Sequence, residues 1–187
     1  MIRWNNKVRI ITVGGLNSKL FNFVSLMPKL ILVTVLLVGC MNKGEDSIYL
    51  IPKGYQGNIL ILFNQKSGLP IEYKDGKRIY RIPKDGTLKT QFKPNFGVQQ
   101  QLFYIVDTLN TRTSIRYMNA LSWSNANKTS REIVCFNRES GSDGDVKNKR
   151  HFEVFSISAI LNADSVGESR SRYMWKVLGD NIGNHRQ

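Results

Sequence analysis

Between Lys66 and Gly97 the chain is interrupted four times by glycine-containing turn sequences: KSGLP at 66–70, KDGK at 74–77, PKDG at 83–86 and KPNFG at 93–97. Glycine supplies positive φ, proline presets φ near −65°, and aspartate and asparagine bond their own backbone, so such clusters end regular structure. The pieces between them, RIYRI and LKTQF, are each about as long as a strand. Short strands joined by short turns point to a sandwich or barrel and away from a parallel sheet covered by crossover helices.

The flanking segments read the same way. SIYLIP is followed by KGYQG and then NILILFN, in which Ile59, Ile61 and Phe63 share one face and Leu60 and Leu62 the other. A strand apolar on both faces belongs in the middle of a sheet. QLFYIVD and TSIRYM, separated by TLN, predict a hairpin over 101–118, and REIVCFN and HFEVFSIS predict two more strands. NALSWSNANKTS, which carries Trp123, and RESGSDGDVKNKR are expected as polar, exposed loops. In SRYMWKVLGD, Met174, Val177 and Leu178 fall at helical spacing before Gly179, which predicts a short terminal helix. The expectation is a mainly β chain: a small antiparallel β-sandwich with a short C-terminal helix, one domain over 48–187.

Two phrases are more specific than this pattern. Ile51, Pro52, Gly54, Tyr55 and Gly57 precede the NILILFN strand, and Ile82, Pro83, Gly86, Leu88 and Thr90 follow it. This stretch resembles a bacterial lipoprotein family known as a domain of unknown function, which implies an extracytoplasmic β domain and supplies no catalytic residues. The Gly, Pro and strand order is also similar to that of transthyretin-like or Ig-like sandwiches, an analogy of architecture alone.

Ahead of the domain, Leu30 to Val38 is a run of nine residues that is apolar apart from Thr34. A helix needs about twenty to cross the hydrocarbon core. Five basic residues (Arg3, Lys7, Arg9, Lys19, Lys29) and no acidic one precede the run, the charge order of a secretory signal. Leu37, Val38, Gly39 and Cys40 then resemble the lipobox of bacterial lipoproteins. The resemblance implies peptidase recognition of Leu37, Val38 and Gly39, removal of residues 1–39, and acylation of Cys40 on its sulfur. MPKLILVTVLLVGC is a complete short signal by itself, which marks Met27 as the expected start. Residues 40–47 are expected as a lipidated tether. Met41, which is not aspartate, and the Lys43, Glu45, Asp46 stretch favour a lipid-anchored place at the outer membrane, on its periplasmic or surface face.

Loss of residues 1–39 leaves 148 residues, enough for one core, and lowers the formal charge from +13 to +8. For an exported chain this basic balance fits an anionic envelope component or a protein partner, and nucleic acid is not expected. With Cys40 acylated, Cys135 is left without a disulfide partner and reads as a buried hydrophobe; His151 and His185 are the histidines a thiol nucleophile would need. Asp143 and Asp145 alternate with small residues, yet lysine and arginine follow where a calcium loop needs acidic ligands, so GSDGD is expected as surface loop. GESRS at 167–171 lacks the last glycine of a nucleophile elbow, and no P-loop, HExxH or CxxC is present. No catalytic residue, metal or cofactor is therefore assigned. The functional expectation is a membrane-anchored, non-enzymatic binding or scaffolding domain; the alternative is an envelope enzyme or enzyme inhibitor whose site folding assembles from distant residues.

Overall fold

A computed structural model describes residues 43–146 and 149–183. Two facing sheets account for most of them. In chain order the elements are β1 (Ser47–Pro52), β2 (Gly57–Leu62), β3 (Tyr73–Lys74), β4 (Lys77–Arg81), β5 (Thr87–Lys89), β6 (Gln101–Val106), β7 (Arg112–Ile115), β8 (Tyr117–Met118), α1 (Ala120–Ser124), β9 (Ile133–Asp143), β10 (Arg150–Ala159), a 3-10 turn (Ile160–Asn162) and α2 (Ala163–Gly183). One sheet has the order β3-β4-β1-β6-β7, the other β5-β2-β10-β9-β8. The mainly β sandwich with a C-terminal helix is as the sequence predicts, and no closed barrel forms.

The pairing is mixed where antiparallel strands were expected: β1 runs parallel to β4 and β6, β2 to β5, and β8 to β9. The Ile-Pro phrases explain this. β1 ends in Ile51-Pro52, and β4 is followed by Ile82-Pro83; proline has no N–H to extend the ladder. Each proline carbonyl then accepts from the residue three on, Tyr55 N at 3.1 Å and Gly86 N at 3.0 Å. Gly54 and Gly86 take φ of 83° and 80° there, in the left-handed region that favours glycine. Both corners send the chain across to the other sheet, so β2 and β5 come out side by side and parallel. By contrast, Asp75 and Gly76, both at positive φ, fold β3 back onto β4 as a two-residue hairpin.

Between the sheets lies one apolar layer, with Tyr49, Ile51, Tyr80 and Phe103 from one side against Ile59, Ile61, Phe155 and Ile157 from the other. Parallel register puts Tyr80, Tyr49 and Phe103 in one row, and their rings stack at 5.0 and 4.7 Å. β2 is two-faced as its sequence predicts: Leu60 and Leu62 point the other way, joining Phe152, Val154 and Leu178 under α2. Tyr173, Met174 and Val177 complete that contact.

Three local expectations are corrected. The 119–130 segment is not all loop, because Asn119 caps α1 by accepting from Ser122 N at 2.8 Å. TSIRYM is not one strand: it breaks at Arg116, with β7 in one sheet and β8 in the other. RESGSDGDVKNKR is loop only near its tip, since β9 continues to Asp143 and pairs there with Arg150. Gly141 makes this fit by lying opposite Phe152, whose ring occupies the space a Cβ would need. The C-terminal helix is present as expected and runs over 21 residues from Ala163.

Candidate functional site

Leu37, Val38, Gly39 and Cys40, the residues assigned to lipidation, lie outside the described residues, as does the whole 1–39 segment. What is described begins at Lys43, which is already fixed. Lys43 forms a β-bridge with Val98, and Gly44 N donates to Val98 O at 3.0 Å. The Asn95 side chain pairs with Glu45 like a neighbouring strand, accepting from its N at 3.0 Å and donating to its O at 2.7 Å. Asp46 accepts from Gln100 N and from Lys77, both at 2.9 Å, and Glu45 accepts from Arg78. These contacts hold both carboxyls below their ordinary range: for Glu45 chiefly the Arg78 hydrogen bond, for Asp46 chiefly the Gln100 N–H.

The two Ile-Pro corners meet at one side chain. The Tyr55 hydroxyl donates to Asn58 O at 2.5 Å, and Gly57 and Gly86 lie against it. A Cβ at Gly86 would overlap that hydroxyl and approach Asn58 O to 2.6 Å. The glycines and tyrosine of the two phrases therefore form one structural lock, not a binding surface. Next to it Asn58, almost fully buried, donates to Val166 O and to Ser169 Oγ, and accepts from Ser156 Oγ, tying α2 to the second sheet. Ser169, the central serine of GESRS, is used in that tie.

Cys135 is fully buried, and burial pushes its thiol well up, the reverse of an activated nucleophile. It pairs with Ile157 while His151 pairs with Ser142. Six residues of β10 separate those positions, about 20 Å, so folding does not bring Cys135 and His151 together, and His185 lies outside the described residues. Asp143 is ion-paired with Arg150, and His151 faces the ring edge of Phe96 at 5.9 Å.

The most unusual polar group of the interior is Glu153. It is 4% exposed and sits on the inward face of β10. A bulge in β9 creates its partner: Asn137 and Arg138 together oppose Phe155, with Asn137 at φ 53°, which turns Arg138 inward. Arg138 grips both Glu153 oxygens at 2.9 Å, and the Tyr49 hydroxyl donates to the same carboxylate at 2.9 Å. Each polar group here has a partner, and only Arg138 reaches solvent, with 23% of its side chain exposed, so the cluster serves to clamp the sheets together.

Among the described residues a cleft opens to solvent at the end of the sandwich where α2 begins. It holds about 250 Å³ and is walled by Trp123, Phe136, Ala163 and Gly167, with Asn137, Asp164 and Glu168 around it. Trp123 stacks on Phe136 at 5.7 Å, and the Lys128 ammonium stands 3.3 Å from the indole centroid on it. Gly167 keeps the floor open, since a Cβ there would come within 3.0 Å of the Asn137 amide. Seven carboxylates among the described residues, Glu153 among them, are ion-paired; Asp164 and Glu168 have no such partner. Chemically the cleft offers an apolar wall and two hydrogen-bond-accepting anions, which suits a cationic or donor-rich group. Sequence reasoning did not find it. A glycine inside a long helix, beside two acids four residues apart, was the signal available.

The described residues thus define a mixed β-sandwich with a helix laid across one outer face. Residues 43–162 match the family described as "Family of unknown function (DUF6843)", and the chain belongs to it. No curated protein matches the chain. Among solved structures it is similar to a Bacillus anthracis protein described as a "Putative Lipoprotein", with 22% identity and a TM-score of 0.46 over 61% of this chain and 70% of that one. Among the described residues no helix is long and apolar enough to cross a membrane.

Proposed function

We propose that this chain is a lipid-anchored protein of the bacterial envelope, acylated at Cys40, whose sandwich acts at the outer membrane as a non-enzymatic binding or scaffolding unit. The observation that supports this best is the spacing between Cys40 and the fold. The apolar run and the Leu37-Val38-Gly39-Cys40 phrase end three residues before Lys43, where the fold takes hold. Cleavage before Cys40 therefore leaves every described residue in the chain. In this reading the tether expected over 40–47 reduces to residues 40–42, because Lys43 to Asp46 are bound to the domain. Its partners are the membrane, through the lipid, and an anionic envelope component or a protein; nucleic acid and cofactors play no part. Cells grown with an alkyne fatty acid test the anchor: wild-type protein takes up the label and fractionates with membranes, and Cys40→Ala does neither. Equal labelling of the two contradicts it.

The enzymatic alternative has one observation in its favour, the unpaired Asp164 and Glu168 at the cleft. Four residues apart on a helix, their Cβ atoms are about 6 Å apart, within reach of the separations at which carboxyl pairs cleave glycosides. Both leave the same helix, however, and so approach a substrate from one side. Release of soluble sugar from purified envelope glycan, lost in Asp164→Asn or Glu168→Gln, would establish this alternative; the binding reading predicts none.

A further inference from the structure

β1, β4 and β6 begin at one end of the sandwich, β2 and β5 finish there, and the β9–β10 hairpin turns there. Lys43 docks at this end by its bridge to Val98. Val98 is 60% exposed and Phe96, two residues earlier, is 68% exposed. Around them Lys43, Lys66 and Lys93 are exposed and carry no ion pair among the described residues, whereas Glu45, Asp46 and Asp143 at the same end are neutralised by Arg78, Lys77 and Arg150. Lys74, Asp75, Lys89, Asp145 and Lys149 are further charged groups there among the described residues. Exposed apolar side chains alone do not choose an end, because Leu109, in the turn between β6 and β7, is exposed at the other. The tether chooses. From Cys40 to Lys43 the chain spans at most about 11 Å, and the headgroup layer on each side of a bilayer is roughly 6 Å deep.

We infer that the end bearing Lys43, Phe96 and Val98 is a lipid-contact surface, seated in the headgroup layer of an anionic bilayer, with the cleft at Trp123 and Asp164 facing away from the membrane. This rests on acylation at Cys40. The aromatic and aliphatic tips enter the interface, the lysines meet anionic headgroups, and a tether of three residues leaves the domain no room to turn over. The domain is then held in one orientation and presents its acidic cleft outward.

The test uses full-length protein, expressed in bacteria, purified from membranes and reconstituted in vesicles of phosphatidylglycerol and phosphatidylethanolamine. With Cys40 acylated and Cys135 buried, an environment-sensitive dye goes to an introduced cysteine at Phe96→Cys, Val98→Cys or, as the distal control, Leu109→Cys. The expected result is about twofold or greater quenching at 96 and 98 by nitroxide-headgroup lipid, with none at 109, since the first two lie at headgroup depth. Acylated, vesicle-bound protein with all three sites unquenched overturns this orientation and leaves the anchor standing. Protein without acyl mass that fails to associate with vesicles overturns the anchor and the orientation with it.

Discussion

Replacing Glu153 by glutamine tests the enclosed clamp between the sheets. The substitution conserves volume and removes one charge, leaving the Arg138 guanidinium without a counter-ion. Breaking a buried pair from one side costs about 3–5 kcal/mol, because the remaining charge stays desolvated. Arg138 is not fully sealed, since 23% of its side chain is exposed and can draw in water. That moves the expected loss to the lower end, about 3 kcal/mol. The Tyr49 hydroxyl, on a residue 1% exposed, keeps the glutamine oxygen as acceptor, while the amide nitrogen in place of Oε2 faces the Arg138 Nη2 donor, and that lost hydrogen bond is part of the cost. At this chain length about 3 kcal/mol corresponds to a Tm lower by roughly 6–12 °C. Urea unfolding followed by circular dichroism measures it, with Arg138→Met and the double variant completing a cycle. The double variant should lose less than the sum of the singles, since no charge is then stranded. A loss below about 1 kcal/mol for Glu153→Gln, the range of an exposed pair, refutes the enclosed-clamp reasoning.

Other consequences separate lock from cleft. Gly86→Ala, which forces a Cβ onto the Tyr55 hydroxyl at φ 80°, should destabilise by more than about 2 kcal/mol, whereas Gly54→Ala, with open space around it, should cost only the backbone strain of about 1 kcal/mol. Gly167→Ala should have the opposite sign, gaining up to about 1 kcal/mol of helix propensity as the exposed Asn137 side chain swings aside; denaturant midpoints read all three. Cys135 should resist a thiol reagent at pH 8 in the native protein and react at once in urea; fast native reaction contradicts its burial. Glu45 and Asp46 have folded pKa values below their unfolded ones, so their contribution is present above about pH 4 and is lost as pH falls through the lowered values. Protection of the Gly44 and Gln100 amides, taken relative to their intrinsic exchange rates, should therefore fall at low pH before the β-sheet amides open. Unchanged protection there would show that the carboxylates do not pin the segment.

What the sequence disclosed followed the range of the interaction involved. β2 was legible because five consecutive apolar residues must serve two faces, and the structure divides Ile59 and Ile61 from Leu60 and Leu62 as the alternation requires. Turns such as Asp75-Gly76 were legible because their φ preference is local. The Ile-Pro phrases were recognised but not understood: that Tyr55 closes on Gly86, thirty-one positions later, depends on two corners meeting in space. Parallel pairing escaped for the same reason. The β9–β10 hairpin looked like loop because Gly141 and Asp143 carry turn composition, while their pairing depends on Phe152 and Arg150 across the ladder. Glu153 left a trace, one charge amid the apolar residues of a strand, but its partner depends on a bulge at Asn137 that composition does not announce. The cleft joins a short helix, a bulge and the start of α2, three elements with no common sequence pattern.

Membrane attachment is the central claim, and the intact mass of full-length protein extracted from bacterial membranes tests it most directly. The account predicts a chain that begins at Cys40 and carries the added mass of a diacylglyceryl group, with no such species from Cys40→Ala. A chain that keeps residues ahead of Cys40 and bears no acyl mass would contradict it.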